Sequence, residues 1–140
     1  MAASPVNQLN AHISNMLATG LLDEHFTALR RLQDAESPDF VDGLVTNFLN
    51  DGDRIFGKLA QLLERPFVDL DVVSNHLMKL KGSSASVGAR HVRLACIQLL
   101  QLTSQQKNRD EWISTLARGR AAFDEVRREF QTMVQLERQI

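Results

Sequence analysis

Apolar positions recur every three or four residues along most of this chain, the spacing of amphipathic helices. Val6, Leu9, Ile13, Met16 and Leu17 follow Ser4-Pro5, a capping residue with Pro at the first helical position, and that run stops near Gly20. Asp23 can cap a second helix carrying Phe26, Leu29 and Leu32. Ser37-Pro38 opens a third, in which Phe40, Val41, Leu44, Val45, Phe48, Ile55, Phe56, Leu59, Leu62 and Leu63 lead to a stop at Pro66. At 1.5 Å per residue that helix spans roughly 40 Å. Gly43, Gly52 and Gly57 within it each cost up to about 1 kcal/mol relative to Ala, so packing against other helices has to hold it.

Asp69 or Asp71 can cap a fourth helix through Val72, Val73, Leu77, Leu80 and Val87, ending at Gly88. A fifth, from about Ala89 to Ser104, is apolar on more than one side (Val92, Leu94, Cys96, Ile97, Leu99, Leu100, Leu102), which predicts deep burial. Asn108 or Asp110 starts the last, with Ile113, Leu116, Phe123, Val126, Phe130, Met133 and Val134 on one face. No segment alternates with period two, and the connections are short, as between antiparallel neighbours in a bundle. The predicted fold class is all-α: one domain over 1–140, with two additional N-terminal helices over about 1–35 and a four-helix up-and-down bundle over about 37–140.

Composition narrows the function. A chain of 140 residues fits one domain, and 16 Lys and Arg against 17 Asp and Glu leave a net charge of −1. A general nucleic-acid binder needs uncompensated cations to displace phosphate counterions, so no nucleic-acid partner is expected. The single Cys96 cannot form an intramolecular disulfide and suits a reducing compartment. The apolar stretch Leu94 to Leu102 is interrupted by Gln98 and Gln101 and is too short to span a bilayer. The start, MAASPVNQLN, lacks the layout of a signal peptide, so a soluble intracellular protein without a membrane partner is expected. The balanced charge predicts a monomer.

Catalytic signatures fail on spacing. His12, His25, His76 and His91 are scattered, with no HExxH pair and no Cys partner at a ligand interval, so neither metal nor cofactor is expected. The run Gly82-Ser83-Ser84-Ala85-Ser86-Val87-Gly88 lacks the GxxxxGK[ST] order of a phosphate loop and reads as a helix end rich in small residues. Asp51/Asp53 and Asp69/Asp71 read as caps and solvated faces. Nothing here points to an enzyme.

The fourth helix carries the informative face. With Met78 at the origin of a helical wheel advancing about 100° per residue, Val73, Leu77, Leu80, Ser84 and Val87 gather on the far side as a core stripe. Asp71, Ser74, Asn75, Lys81, Gly82 and Ala85 surround Met78, whereas His76 falls about 160° away at the edge of the stripe. Gly82 and Ala85 leave backbone bare for close approach, and Lys79 and Lys81 offer ammonium groups to an anionic partner surface. Met78 supplies a polarizable centre suited to adaptable contacts.

The stretch Leu80-Lys81-Gly82-Ser83-Ser84-Ala85-Ser86-Val87-Gly88-Ala89 resembles the signature of plant histidine-containing phosphotransfer proteins. The likeness runs along nearly the whole chain, through Gly20-Leu21-Leu22-Asp23-Glu24, Leu32-Gln33-Asp34, Pro38-Asp39-Phe40-Val41, Asp53-Arg54-Ile55, Arg109-Asp110 and Phe130-Gln131-Thr132-Met133. It implies a four-helix bundle that shuttles a phosphoryl group from hybrid sensor kinases to response regulators, notably in cytokinin signalling, in cytosol and nucleus. The family motif reads His-Gln-Leu-Lys-Gly-Ser-Ser, and the same register here is Met78-Lys79-Leu80-Lys81-Gly82-Ser83-Ser84. Met78 occupies the phosphoacceptor position and Lys79 replaces the Gln. Leu99-Leu100 stands where the family commonly has Phe-Arg.

The resemblance therefore implies a pseudo-phosphotransfer protein, not an enzyme. It would bind receiver domains of sensor histidine kinases and response regulators without carrying phosphate, and inhibit the relay. Its expected partner-binding residues are Met78, Lys79, Lys81, Gly82, Ser83, Ala85 and Asn75, with no catalytic residue. Two alternatives stand beside it: an active carrier using His76, and a helical adaptor whose partners are not receivers.

Overall fold

A computed structural model describes residues 4–33, 37–105 and 109–140. Helix α1 (Pro5–Ala18) is capped by Ser4, whose hydroxyl accepts from the Asn7 amide at 3.2 Å. Asp23 caps α2 (Glu24–Arg31) by accepting from the His25 amide at 2.9 Å. Then follow α3 (Phe40–Leu63), α4 (Leu70–Ser86), α5 (Arg90–Ser104) and α6 (Arg109–Arg138). Helix α3 packs on α4, α4 on α5, α5 on α6, and α6 returns to α3, which closes a four-helix ring. Helix α1 lies along α6 and α2 against α4. The fold is all-α, a bundle with extra N-terminal helices. Among the described residues the one extended pairing is an isolated bridge between Leu22 and Ala89.

That bridge belongs to a junction that seats α2 on the turn between α4 and α5. The Asp23 amide donates to the Gly88 carbonyl at 3.0 Å. Gly88 has φ +73°, and a Cβ there would lie 2.8 Å from the Phe26 amide nitrogen, so both conformation and space demand glycine.

The centre of the bundle is an aromatic seam between α3 and α6. Phe123 meets Phe48 edge-on at 5.6 Å and Phe56 at 5.5 Å, while Phe130 touches Phe26 and Phe48 at 5.8 and 6.3 Å. Such edge and tilted pairings add to the burial of the rings. Arg127 caps the seam, its guanidinium carbon 4.8 Å from the Phe123 centroid, and both Arg127 and Arg120 donate to Asp53 of α3. Gly52 is what lets the seam close, because a Cβ there would lie 2.1 Å from Phe123 Cε2.

Periodicity misplaces several residues. Helix α3 starts at Phe40, beyond a turn in which the Phe40 amide donates to the Ser37 carbonyl, and Phe40 itself is exposed. Leu32 falls just past α2 and is exposed. Asn108 lies outside the described residues, and Asp110 sits in the first turn of α6 rather than before it. Ile113 is exposed while its neighbour Trp112 is buried, because Trp112 and not Ile113 continues the four-three spacing of Leu116, Gly119, Phe123, Val126, Phe130 and Met133; the indole N–H donates to Thr103 Oγ1 at 2.9 Å. Helix α5 is not deep. Val92, Ala95, Cys96, Leu99 and Thr103 fill its buried stripe, leaving Leu94 exposed and Ile97, Leu100 and Leu102 half-buried.

At the far end, the Glu137 carboxyl of α6 faces Asp42 of α3. Burial first, then the neighbouring Asp42 carboxylate and the negative charge of Asp39, push the Glu137 carboxyl up to about 8, against the opposing pull of Arg30 on α2.

Two outcomes follow from this packing. Gly52→Ala should destabilise the fold, since overpacking strain of about 1–3 kcal/mol exceeds the gain in helix propensity. Gly57→Ala meets open space and should stabilise it by up to about 1 kcal/mol; urea melts giving the same sign for both would refute the contrast. Because the folded Glu137 value is raised, its contribution is complete below the ordinary carboxyl value of 4.5 and is lost as pH rises through about 8. Glu137→Gln should therefore flatten the stability difference between about pH 5 and about pH 9, read as urea midpoints.

Candidate functional site

Helix α4 begins at Asp69, whose carboxylate accepts from the Asp71 and Val72 amides at 3.0 and 3.3 Å. From that start the chain has one way to bury its apolar side. Val73, Leu77, Leu80, Ser84 and Val87 are all buried, and Leu77 and Leu80 have no solvent exposure. Met78 consequently points outward and is 61% exposed.

The residues expected from the sequence to bind a partner differ in exposure. Asn75, Lys79, Lys81 and Gly82 are exposed, and Ser83 and Ala85 are half-buried at the margins. A Cβ on Gly82 would meet nothing within 4 Å, so the backbone there is open to approach. The hydroxyls of Ser83, Ser84 and Ser86 donate to the carbonyls of Leu80, Lys81 and Gly82 at 3.3, 2.9 and 3.1 Å. Their protons are committed to the helix rather than to an incoming anion.

Helix α5 extends this face, which the sequence reading did not anticipate. Lys81, one turn beyond Met78, lines a shallow hollow of about 290 Å³ together with Ile97, Leu100, Gln101 and Ser104. The signal was present as the excess apolar side of α5. It predicts burial by periodicity alone, whereas in the fold it forms surface beside α4. Below it Cys96 is buried, and burial pushes its thiol up to about 12, with the Lys81 ammonium acting in the opposite direction. A thiol held protonated in this way is a poor nucleophile.

The four histidines are dispersed. His12 pairs through Nε2 with the Glu129 carbonyl at 2.9 Å and joins α1 to α6. His25 is exposed beside Asp23, His91 is exposed at the start of α5, and His76 is half-buried at the edge of the α4 stripe. Among the described residues no three His, Cys, Asp or Glu side chains are placed to hold a metal ion, and no helix is long and apolar enough to cross a membrane.

A family model of the Hpt domain matches residues 43–138, from within α3 to the end of α6. The chain belongs to the Hpt domain family. It is 49% identical over 139 residues to histidine-containing phosphotransfer protein 1 of Oryza sativa subsp. japonica, covering 99% of this chain and 94% of that one. The crystal structure of a histidine-containing phosphotransfer protein from maize matches it with a TM-score of 0.91 at 50% identity, covering 97% of this chain and 99% of that chain. Pseudo histidine-containing phosphotransfer protein 6 of Arabidopsis thaliana is 39% identical over 97 residues, 66% of this chain and 63% of that protein. Hpt proteins are carriers in two-component phosphorelays rather than classical enzymes, and they interact with receiver domains of histidine kinases and response regulators. The two N-terminal helices lie outside the matched residues.

Exposure separates the methionines of this Hpt chain. Met78 should be oxidised by limiting hydrogen peroxide well before Met16 and Met133, both essentially inaccessible, as peptide mass spectrometry would report. Equal rates would mean that the α4 face is covered.

Proposed function

We propose that this chain is a pseudo-phosphotransfer protein: it docks on receiver domains of sensor histidine kinases and response regulators but carries no phosphoryl group. By occupying receivers it competes with active Hpt proteins and acts as a negative regulator of cytokinin-type phosphorelay. The observation that carries this reading is Met78 standing exposed at the centre of the α4 face, in the register where the family motif has its phosphoacceptor histidine. A thioether has no titratable ring nitrogen to attack an aspartyl phosphate and hold the phosphoryl group as a phosphoramidate.

His76 is a poor substitute. Two residues along a helix turn the side chain by about 200°, and moving it to the Met78 position would drag Leu77 and Leu80 out of the core. Recognition and chemistry are separable, because docking uses a patch while transfer needs one nucleophile. The patch comprises Met78, Lys79, Lys81, Gly82, Ser83, Ala85 and Asn75, extended by Ile97 and Leu100 of α5. Leu100 also stands where the family commonly carries a basic residue, which removes a cation that would stabilise bound phosphate. In this reading residues 1–140 act as one monomeric domain, about 1–35 flanking a bundle of about 37–140, in cytosol and nucleus, without nucleic acid or membrane.

The test is phosphotransfer from a phosphorylated receiver. The wild-type chain should remain unlabelled, Met78→His should gain acid-labile label, and Met78→His with Leu100→Arg should gain more. Label on the wild-type chain that vanishes in His76→Gln would establish the carrier reading instead. Met78→Ala should weaken receiver binding by about 1–2 kcal/mol, roughly five- to thirtyfold in Kd. No binding to any receiver of the relay would leave a helical adaptor with other partners.

A further inference from the structure

A second concavity lies at one end of the bundle, where the C-termini of α3 and α5 meet the N-termini of α4 and α6. Leu63, Val68, Leu70, Val73, Leu102 and the Trp112 indole enclose a half-open hollow of about 170 Å³. Its polar groups are satisfied from within. The Trp112 indole N–H donates to Thr103 Oγ1 at 2.9 Å, and the Thr103 hydroxyl donates to the Leu99 carbonyl at 2.7 Å. Water entering the hollow finds few partners, and a water needs two to four of them to be held in a cavity. An apolar occupant is therefore favoured. The volume suits one aromatic ring, since an engineered apolar cavity of about 150 Å³ takes up benzene.

Charge selects further. Among the described residues lining the hollow, Arg109 carries the single formal charge. One of its N–H groups donates to the Leu63 carbonyl at the wall. The remaining donors of the planar fork match a carboxylate in bidentate fashion. Carboxylates close in sequence, Asp69, which caps α4, and Asp110 and Glu111 in the first turn of α6, do not line the hollow. We infer that this hollow is a binding site for a single-ring aromatic carboxylate, the ring against Trp112 and Leu102 and the carboxylate on Arg109. Phe67, 91% exposed on the loop that carries Val68, marks the rival occupant, the same side chain of a second copy.

Trp112 is the only Trp in the chain, so its emission reports the hollow directly. Titration of the full chain with benzoate should give a saturable change in that emission, in the millimolar range or tighter. Benzamide, of the same shape without the charge, should bind about tenfold more weakly. Arg109→Gln should raise the benzoate Kd by about tenfold and leave the benzamide Kd unchanged. Val73→Phe and Leu102→Phe, each checked for helicity by circular dichroism, should abolish both signals by filling the hollow. Emission indifferent to benzoate would overturn the inference, as would a benzoate signal that survives both filled variants. An emission change that follows protein concentration without benzoate, and disappears in Phe67→Ala, would assign the hollow to a neighbouring copy instead.

Discussion

The rotation of α4 is the constraint on which the functional surface depends. Five side chains, from Val73 to Val87, are buried on one side of this helix, and three of them have no exposure at all. Turning the helix by even one residue position would expose leucine and bury lysine. Burial of a single large apolar side chain is worth about 1.5–3 kcal/mol, so the stripe as a whole outweighs anything gained by presenting a different residue outward. Met78 is at the surface because its neighbours cannot be, and the half-buried position of His76 follows from the same geometry.

The rest of the bundle holds that helix in place. The aromatic seam of Phe48, Phe56, Phe123 and Phe130 locks α3 to α6, and it closes only where Gly52 gives up a side chain. On the other side, the Asp23 and Gly88 backbone hydrogen bond seats α2 on the turn that ends α4. The surface ion pairs, such as Arg54 with Asp51, contribute little by comparison, because exposed charges gain only modest energy in water. The face that carries Met78 is thus backed by a packed core.

A face of this kind is one where an Hpt chain can change a residue and keep its fold. The phosphoacceptor position of the motif faces solvent, where substitution leaves the core untouched. Methionine there enlarges the apolar surface that α5 already offers through Ile97 and Leu100. In the proposed pseudo-phosphotransfer reading, loss of the nucleophile and gain of contact area are two consequences of one replacement.

Much of this was readable before any coordinates. The caps Ser4 and Asp23, the stripe of α4 and the outward direction of Met78 were legible in the sequence, because capping residues mark helix starts and a helix repeats every 3.6 residues whatever surrounds it, whereas the structure chose Asp69 over Asp71 as the α4 cap. The family followed from an ungapped motif in the same helix. Other features depended on which helix meets which. Periodicity could not tell that the second apolar side of α5 is surface beside α4, that the Trp112 indole finds Thr103, or that Gly52 alone of the α3 glycines meets an aromatic ring. Nor could it bring Glu137 to Asp42 across most of the chain length. Local pattern determines the faces of a helix, since those are set by its own geometry. The partner of each face is decided by packing among residues distant in sequence, and only the tertiary structure contains it.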